Sequence, residues 1–254
     1  TTIQTTYDDN NLSNNTSYSY KIQAVNSTSP TDSNTVTVTT PECRPDLICQ
    51  NPAISGTLNA GGTLTLSATI KNQGISEAGN STTQFKIDTD VIGNITTGTL
   101  LQNATEAKST TWTATAGSHT LTVNADSAGT VSEADENNNS CPTTSTTFTV
   151  NAPPTCTAID INNPTDPVYT GQSRTFTATA ADSDGTIASY SWSTSGGIPA
   201  SSTTSSLNWT SSTPGSYDIR LTVTDNSGAT ATCPTKTVST SWPPITASCS
   251  AIPA

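Results

Sequence analysis

The chain contains no methionine, one histidine and only eight lysines and arginines among 254 residues. The few basic residues are scattered, so no surface is expected to neutralise phosphates or anionic lipid headgroups. No nucleic-acid partner is expected, and no membrane segment, because no apolar run approaches the roughly 18 residues of a spanning helix. No signal-like segment precedes Thr1, so the sequence is expected to be a processed product or a window on a longer polypeptide. The six cysteines form no C-x-x-C pair and lack a set of histidine partners, which argues against zinc. Disulfides in an oxidising compartment are the alternative. Catalytic machinery is equally scarce. His119 would be the only imidazole base, and no Gly-x-Ser-x-Gly elbow accompanies it. No cofactor is expected.

What is present is threonine, serine, asparagine and valine, with 31% hydrophobic and 11% charged residues. That is not the highly charged composition of a disordered chain. Threonine and valine suit a pleated, half-buried surface. The expectation is an all-β protein of sandwiches with hydroxyl-rich outer faces and thin cores that gain from cross-links. The net charge of -11 reads as a solvated acidic surface.

Period-two alternation marks the strands. Tyr18, Tyr20, Ile22 and Ala24 share one face, with Val36 and Val38 on a second strand. Leu64, Leu66, Ala68 and Ile70 form another face, as do Leu121, Val123 and Ala125, and then Tyr217, Ile219, Leu221 and Val223. Trp112, Trp192 and Tyr190 are expected in cores. Asn72-Gln73-Gly74 reads as a turn in which glycine supplies positive φ. Linkers containing proline fall at 41–45, 151–154 and 242–244.

Several of these stretches resemble known extracellular modules. Leu12-Ser13-Asn14-Asn15-Thr16-Ser17-Tyr18 is similar to the turn before a tyrosine corner of a fibronectin type III domain. Residues 1–42 would then be the last strands of such a sandwich, with an open face and an open edge. Pro45-Asp46-Leu47-Ile48, Ile70-Lys71-Asn72-Gln73-Gly74 and Glu133-Ala134-Asp135-Glu136-Asn137-Asn138 resemble the CARDB adhesion module over 45–150. Asp182-Ser183-Asp184-Gly185, Tyr190-Ser191-Trp192, Thr213-Pro214-Gly215-Ser216-Tyr217 and Leu221-Thr222-Val223-Thr224-Asp225-Asn226 resemble a PKD domain over 155–239. One departure stands out: Ser193-Thr194-Ser195-Gly196-Gly197 replaces that family's usual aromatic and Gly-Asp-Gly turn. Residues 240–254 look like a linker and the first strand of a further domain. The resemblances imply tandem Ig-like β-sandwiches.

In such sandwiches the first and last strands approach, which implies the pairs Cys156–Cys233 and Cys49–Cys141. Cys43 is the alternative partner of Cys141, and Cys249 is expected to pair beyond Ala254 or with another chain. Ala116-Gly117-Ser118-His119 repeats the pattern before Tyr217, which gives His119 a structural aromatic role.

The acidic pairs Asp182/Asp184 and Glu133/Asp135/Glu136 offer hard oxygen ligands and make weak calcium candidates. They are expected in exposed loops with little apolar cover to shift a pKa, which also disfavours glycosidase chemistry there and at Asp8-Asp9. Asn-x-Ser/Thr acceptors for glycosylation occur at Asn11, Asn14, Asn15, Asn26, Asn80, Asn94, Asn103, Asn138 and Asn208.

The expected function is a non-enzymatic structural or adhesive segment of a prokaryotic cell-surface protein, stalk or filament. The alternative is a set of accessory modules of a secreted hydrolase that bind substrate or carbohydrate, with Trp209, Trp242 and Tyr169 as the exposed aromatics available for sugars. The partners expected are neighbouring domains or subunits, joined by donation of the strand 245–254 into an open sheet, and glycans.

Overall fold

In a computed structural model, residues 6–25, 29–164 and 167–245 are described, without the side chains of 142–145. Asn26, Cys249 and the expected strand over 245–254, apart from Ile245, fall outside them. The described chain is all-β, as the alternation predicts. It divides into two compact units, one of Thr1–Ser55, Thr65–Trp112 and His119–Thr147, the other of Gly56–Leu64, Thr113–Ser118 and Phe148–Ala254.

The N-terminal hairpin pairs β1 (Ser17–Tyr20) with β4 (Val36–Thr39), and β2 (Gln23–Ala24) with β3 (Thr31–Asp32) between them. Its register sets Tyr18 opposite Val38 and Tyr20 opposite Val36. The opposite face carries hydroxyl pairs, Ser17 with Thr39 at 2.7 Å and Ser19 with Thr37 at 2.9 Å. The Tyr18 hydroxyl accepts the Ser13 N–H at 2.7 Å, a tie of the kind a tyrosine corner makes. The expected continuous strand breaks after Tyr20, and Ile22 is 78% exposed. Alternation without a covering sheet does not bury a face.

The next module has seven strands: β5 (Leu47–Ser55), β6 (Thr63–Asn72), β7 (Ser81–Ile87), β8 (Asp90–Thr97), β9 (Thr105–Thr113), β10 (Gly117–Asn124) and β11 (Ser140–Val150). They form sheets ordered β5-β6-β9 and β11-β10-β7-β8. Leu47, Leu66, Ala68, Ile70, Phe85, Leu121 and Val123 are buried. Burial of each Leu, Ile, Val or Phe side chain is worth about 1.5–3 kcal/mol. Cys49 on β5 is joined to Cys141 on β11, 92 residues apart. Cys43 is free, which decides between the two partners considered for Cys141.

Nine strands follow: β12 (Thr155–Ile161), β13 (Val168–Tyr169), β14 (Arg174–Ala181), β15 (Ile187–Thr194), β16 (Ser201–Ser202), β17 (Ser206–Trp209), β18 (Gly215–Asp225), β19 (Thr230–Thr232) and β20 (Lys236–Ser241). One sheet runs β12-β14-β17, the other β13-β20-β18-β15-β16, with β19 on β18. The core holds Phe176, Trp192, Leu207, Trp209, Ile219, Leu221 and Val223, and the half-buried Tyr190 packs against it. Cys156 on β12 bonds Cys233, 77 residues away, as the resemblance implied. The Tyr217 hydroxyl donates to the Thr213 carbonyl at 2.9 Å, closing a second tyrosine tie.

Two aromatic assignments need correction. Trp209 is not an exposed sugar platform: it is fully buried, set edge-on to Phe176 and Tyr217. Its indole N–H donates to the Gly196 carbonyl at 2.8 Å. Gly197 adopts φ +81°, and a Cβ there would lie 2.3 Å from that indole nitrogen. The Gly196-Gly197 turn, which departs from the expected family pattern, is what seats Trp209. Trp112 is not a core anchor either. It is half-buried and packs edge-on against His119 at 5.0 Å.

Candidate functional site

The densest polar constellation is built from the acidic run after β10 and the start of β5. Asp126 begins it by capping: Oδ1 accepts the Thr130 N–H and hydroxyl, and Oδ2 accepts the Val131 N–H. That closed turn sends Val131 and Glu133 inward while Ser132 and Ala134 stay exposed. Glu136 then accepts the Glu133 N–H at 2.9 Å, and Asp135 accepts the Asn137 N–H at 2.9 Å. These are carboxylates satisfying the backbone of their own loop, a role short acidic side chains fill well in turns.

Glu133 is 2% exposed, which overturns the expectation of an exposed loop residue without cover. Its Oε2 accepts the Leu47 N–H and its Oε1 accepts from the Asn139 amide at 3.0 Å. Burial raises its pKa to about 7, against the pull of those two donors, with Glu136 and Asp126 pushing it further up. Burial disfavours the charged form of a carboxyl. The loop is fastened to the preceding linker as well. The Ala134 N–H donates to the Pro45 carbonyl at 2.8 Å, and Arg44 reaches Ser132 and the Glu133 carbonyl. Asn138 donates its amide hydrogen to Asp46 at 2.8 Å.

Asn72 completes this cluster, and the sequence reading missed it. Fully buried, it accepts the Asp46 and Gly74 N–H groups and donates to the Ser76 and Leu100 carbonyls. Its turn partner Gly74 is not in the positive-φ region. The reason for glycine is proximity: a Cβ would sit 2.5 Å from the Asp46 nitrogen and the Pro45 carbonyl carbon. A buried asparagine and an exposed one look the same in a one-dimensional pattern.

The second acidic group lies on the turn between β14 and β15. Asp184 accepts the Ala152 N–H at 2.9 Å, and Asp182 accepts the Asp184 N–H. One Asp182 oxygen is buried without a hydrogen-bond partner. Burial raises its carboxyl, with Asp184 and Asp225 adding to the effect. Asp225 is buried and held below the usual carboxylate range by the Asn151 amide at 2.9 Å, with further backbone donors at 227–229. Among the described residues no three His, Cys, Asp or Glu side chains are arranged to hold a metal ion. Asp182/Asp184 and Glu133/Asp135/Glu136 belong to separate compact units.

His119 faces Asp88 at 2.8 Å, and the other Asp88 oxygen accepts the Thr120 N–H. The imidazole therefore ties β10 to the β7–β8 turn, a structural role reached by a side-chain contact rather than by the backbone tie of Tyr217. Asp9 accepts the Tyr20 hydroxyl at 2.9 Å.

Of the glycosylation candidates, Asn11, Asn14, Asn15, Asn80, Asn94, Asn103 and Asn208 are exposed. Asn138 is half-buried, and the nitrogen a glycan would occupy is its donor to Asp46. Trp242 is 66% exposed, as expected of a sugar platform, whereas Tyr169, expected to be exposed, is half-buried. Among the described residues no helix is long and apolar enough to cross a membrane.

Residues 44–143 match the CARDB family model and residues 158–238 match that of the PKD domain. The chain thus carries a CARDB module followed by a PKD domain, both non-catalytic Ig-like sandwiches of kinds typical of cell-surface adhesion. Among solved structures, the CARDB domain of a Pyrococcus furiosus protein, in complex with di-metal ions, is 22% identical. It covers 44% of this chain and 97% of its own, at a TM-score of 0.38. The PKD1 domain of Vibrio anguillarum Epp is 29% identical over 37% of this chain and 99% of its own, at 0.30. Fibronectin(III)-like modules of Clostridium thermocellum CbhA are 20% identical over 77% of this chain and 93% of their own, at 0.32. No curated protein matches the chain.

Proposed function

We propose that this chain is a non-enzymatic structural and adhesive segment of a prokaryotic cell-surface stalk or filament. The observation that supports this best is the succession of a CARDB module and a PKD domain, each closed by one long-range disulfide. Their acidic groups hold backbone N–H donors at strand starts and turns, which is a structural use of charge. A hydroxyl-rich surface with net charge -11 keeps such a chain solvated outside the cell. Exposed acceptor asparagines, Asn103 and Asn80 among them, would carry glycans in that setting.

The test is localisation by antibody labelling of intact cells, together with a glycan array probed with residues 1–254. Surface labelling without glycan binding is expected. Binding of a defined polysaccharide, with secretion into the medium, would instead support the accessory-module reading.

A further inference from the structure

Two aliphatic side chains of the CARDB module stand in water on adjoining loops. Ile75, between β6 and β7, is 55% exposed, and Leu101, between β8 and β9, is 63% exposed. The backbone brings these loops together. Asn72 donates its amide to the Ser76 carbonyl at 2.7 Å and to the Leu100 carbonyl at 2.9 Å. Ala78 and Leu100 exchange backbone hydrogen bonds at 2.9 and 3.0 Å, and the Asn103 N–H donates to the Asn72 carbonyl at 2.8 Å. Buried Asn72 thus fixes the two loops against each other. A single exposed aliphatic side chain is ordinary, but two on adjoining loops make a patch that calls for a cover.

The chain supplies an attachment point for that cover two residues after Leu101. Leu101 to Ala104 form a tight turn, closed by the Ala104 N–H on the Leu101 carbonyl at 3.0 Å. Asn103 takes φ +60° there, a conformation asparagine tolerates better than most residues with a side chain. Asn103 is exposed, and so is Thr105, which completes the acceptor Asn103-Ala104-Thr105. The Asn103 side chain enters no hydrogen bond among the described residues. The other acceptors of the two modules are engaged. Asn80, Asn94 and Asn208 accept from Thr99, Gln84 and Thr175, and Asn138 donates to Asp46. Asn94 and Asn208 also lie within β8 and β17, and the Thr210 hydroxyl of the Asn208 acceptor is buried.

We infer that Asn103 carries an N-linked oligosaccharide that covers Ile75 and Leu101. The inference rests on the cell-surface reading above and gives one glycan a structural task. In the transfer, the Asn103 amide nitrogen bonds to C1 of an oligosaccharide carried on a lipid phosphate. The C1–O bond to the phosphate breaks, the lipid phosphate leaves with the electron pair, and the displaced amide proton goes to it. The C–H face of a sugar ring sheds water against aliphatic side chains, while its hydroxyls stay in solvent.

The experiment isolates the protein from the cells that make it and maps its glycopeptides by mass spectrometry. Occupancy at Asn103 should exceed that at Asn94 and Asn208. Thr105→Ala removes the acceptor and leaves the Asn103 turn in place; this variant should elute later than the parent from a phenyl column. Thr105→Ser keeps the acceptor and should elute with the parent. Adding Ile75→Ser and Leu101→Ser to Thr105→Ala should restore parental elution, because the exposed aliphatic side chains are gone. An unmodified Asn103 peptide in protein labelled on intact cells would overturn the inference and leave the surface assignment standing. Parental elution of Thr105→Ala would overturn it as well. Occupied Asn103 without label on intact cells would refute the surface reading alone.

Discussion

Replacing Glu133 by glutamine should remove a pH dependence of the CARDB module's stability between pH 4.5 and 7. The carboxyl moves from an ordinary 4.5 to about 7 in the folded state. A folded pKa above the unfolded one means the native state holds the extra proton in that window. Stability is then fullest below 4.5 and falls as pH rises through 7. The full span corresponds to about 3 kcal/mol. Glutamine has no charge to desolvate, but it keeps only one acceptor oxygen for the Leu47 and Asn139 donors, so one hydrogen bond of about 1 kcal/mol is lost. The variant should therefore be about 1 kcal/mol less stable than the parent at pH 4.5 and about 2 kcal/mol more stable at pH 8. Denaturant-dependent hydrogen exchange of the peptide containing Leu47 reads this module alone, and a carbon NMR titration of Glu133 reads the pKa directly. Parallel pH profiles for parent and variant, or a Glu133 pKa near 4.5, would refute the reasoning.

Trp209→Ala should destabilise the PKD domain by about 3–5 kcal/mol through loss of a fully buried aromatic, while Trp242→Ala should stay within about 0.5 kcal/mol; thermal unfolding of the two variants checks the contrast. The double variant Cys156→Ser/Cys233→Ser should lose about 4.5 kcal/mol, the loop-entropy value for a sequence separation of 77, read from denaturant midpoints with and without reductant. Gly74→Ala should cost more than about 2 kcal/mol, because its Cβ meets backbone rather than a side chain that can move. An unchanged midpoint in that variant would show that the linker at Pro45–Asp46 yields instead.

Strand existence and the inward sets were legible from alternation because burial in a sandwich has period two: Leu66, Ala68 and Ile70, or Ile219, Leu221 and Val223, read the same on paper and in three dimensions. The disulfides were legible once the resemblance placed first and last strands together. Polar burial was not. Glu133 sits in a run that is otherwise exposed, and only the cap from Asp126 turns it inward. Trp209 alternates with Asn208 on a short strand whose buried side depends on Gly196 and Gly197, far along the chain. Ile22 failed in the opposite sense, since a periodic face needs a partner layer to become interior. The acidic sets that looked like ligand groups are, in the first module, distributed among separate backbone donors.

The two long disulfide loops also bear on what happens under tension. A pull along the chain that unfolds the CARDB module would be transmitted from Cys49 directly to Cys141, leaving the stretch between them, a sequence separation of 92, slack. The same holds for the stretch from Cys156 to Cys233, a separation of 77. At about 3.4 Å per extended residue, roughly 310 Å and 260 Å of contour length are withheld. A fastened segment of this kind would yield only short, discrete increments at its linkers before covalent bonds carry the force. Reduction would convert the same sequence from a nearly inextensible tether into a long elastic one.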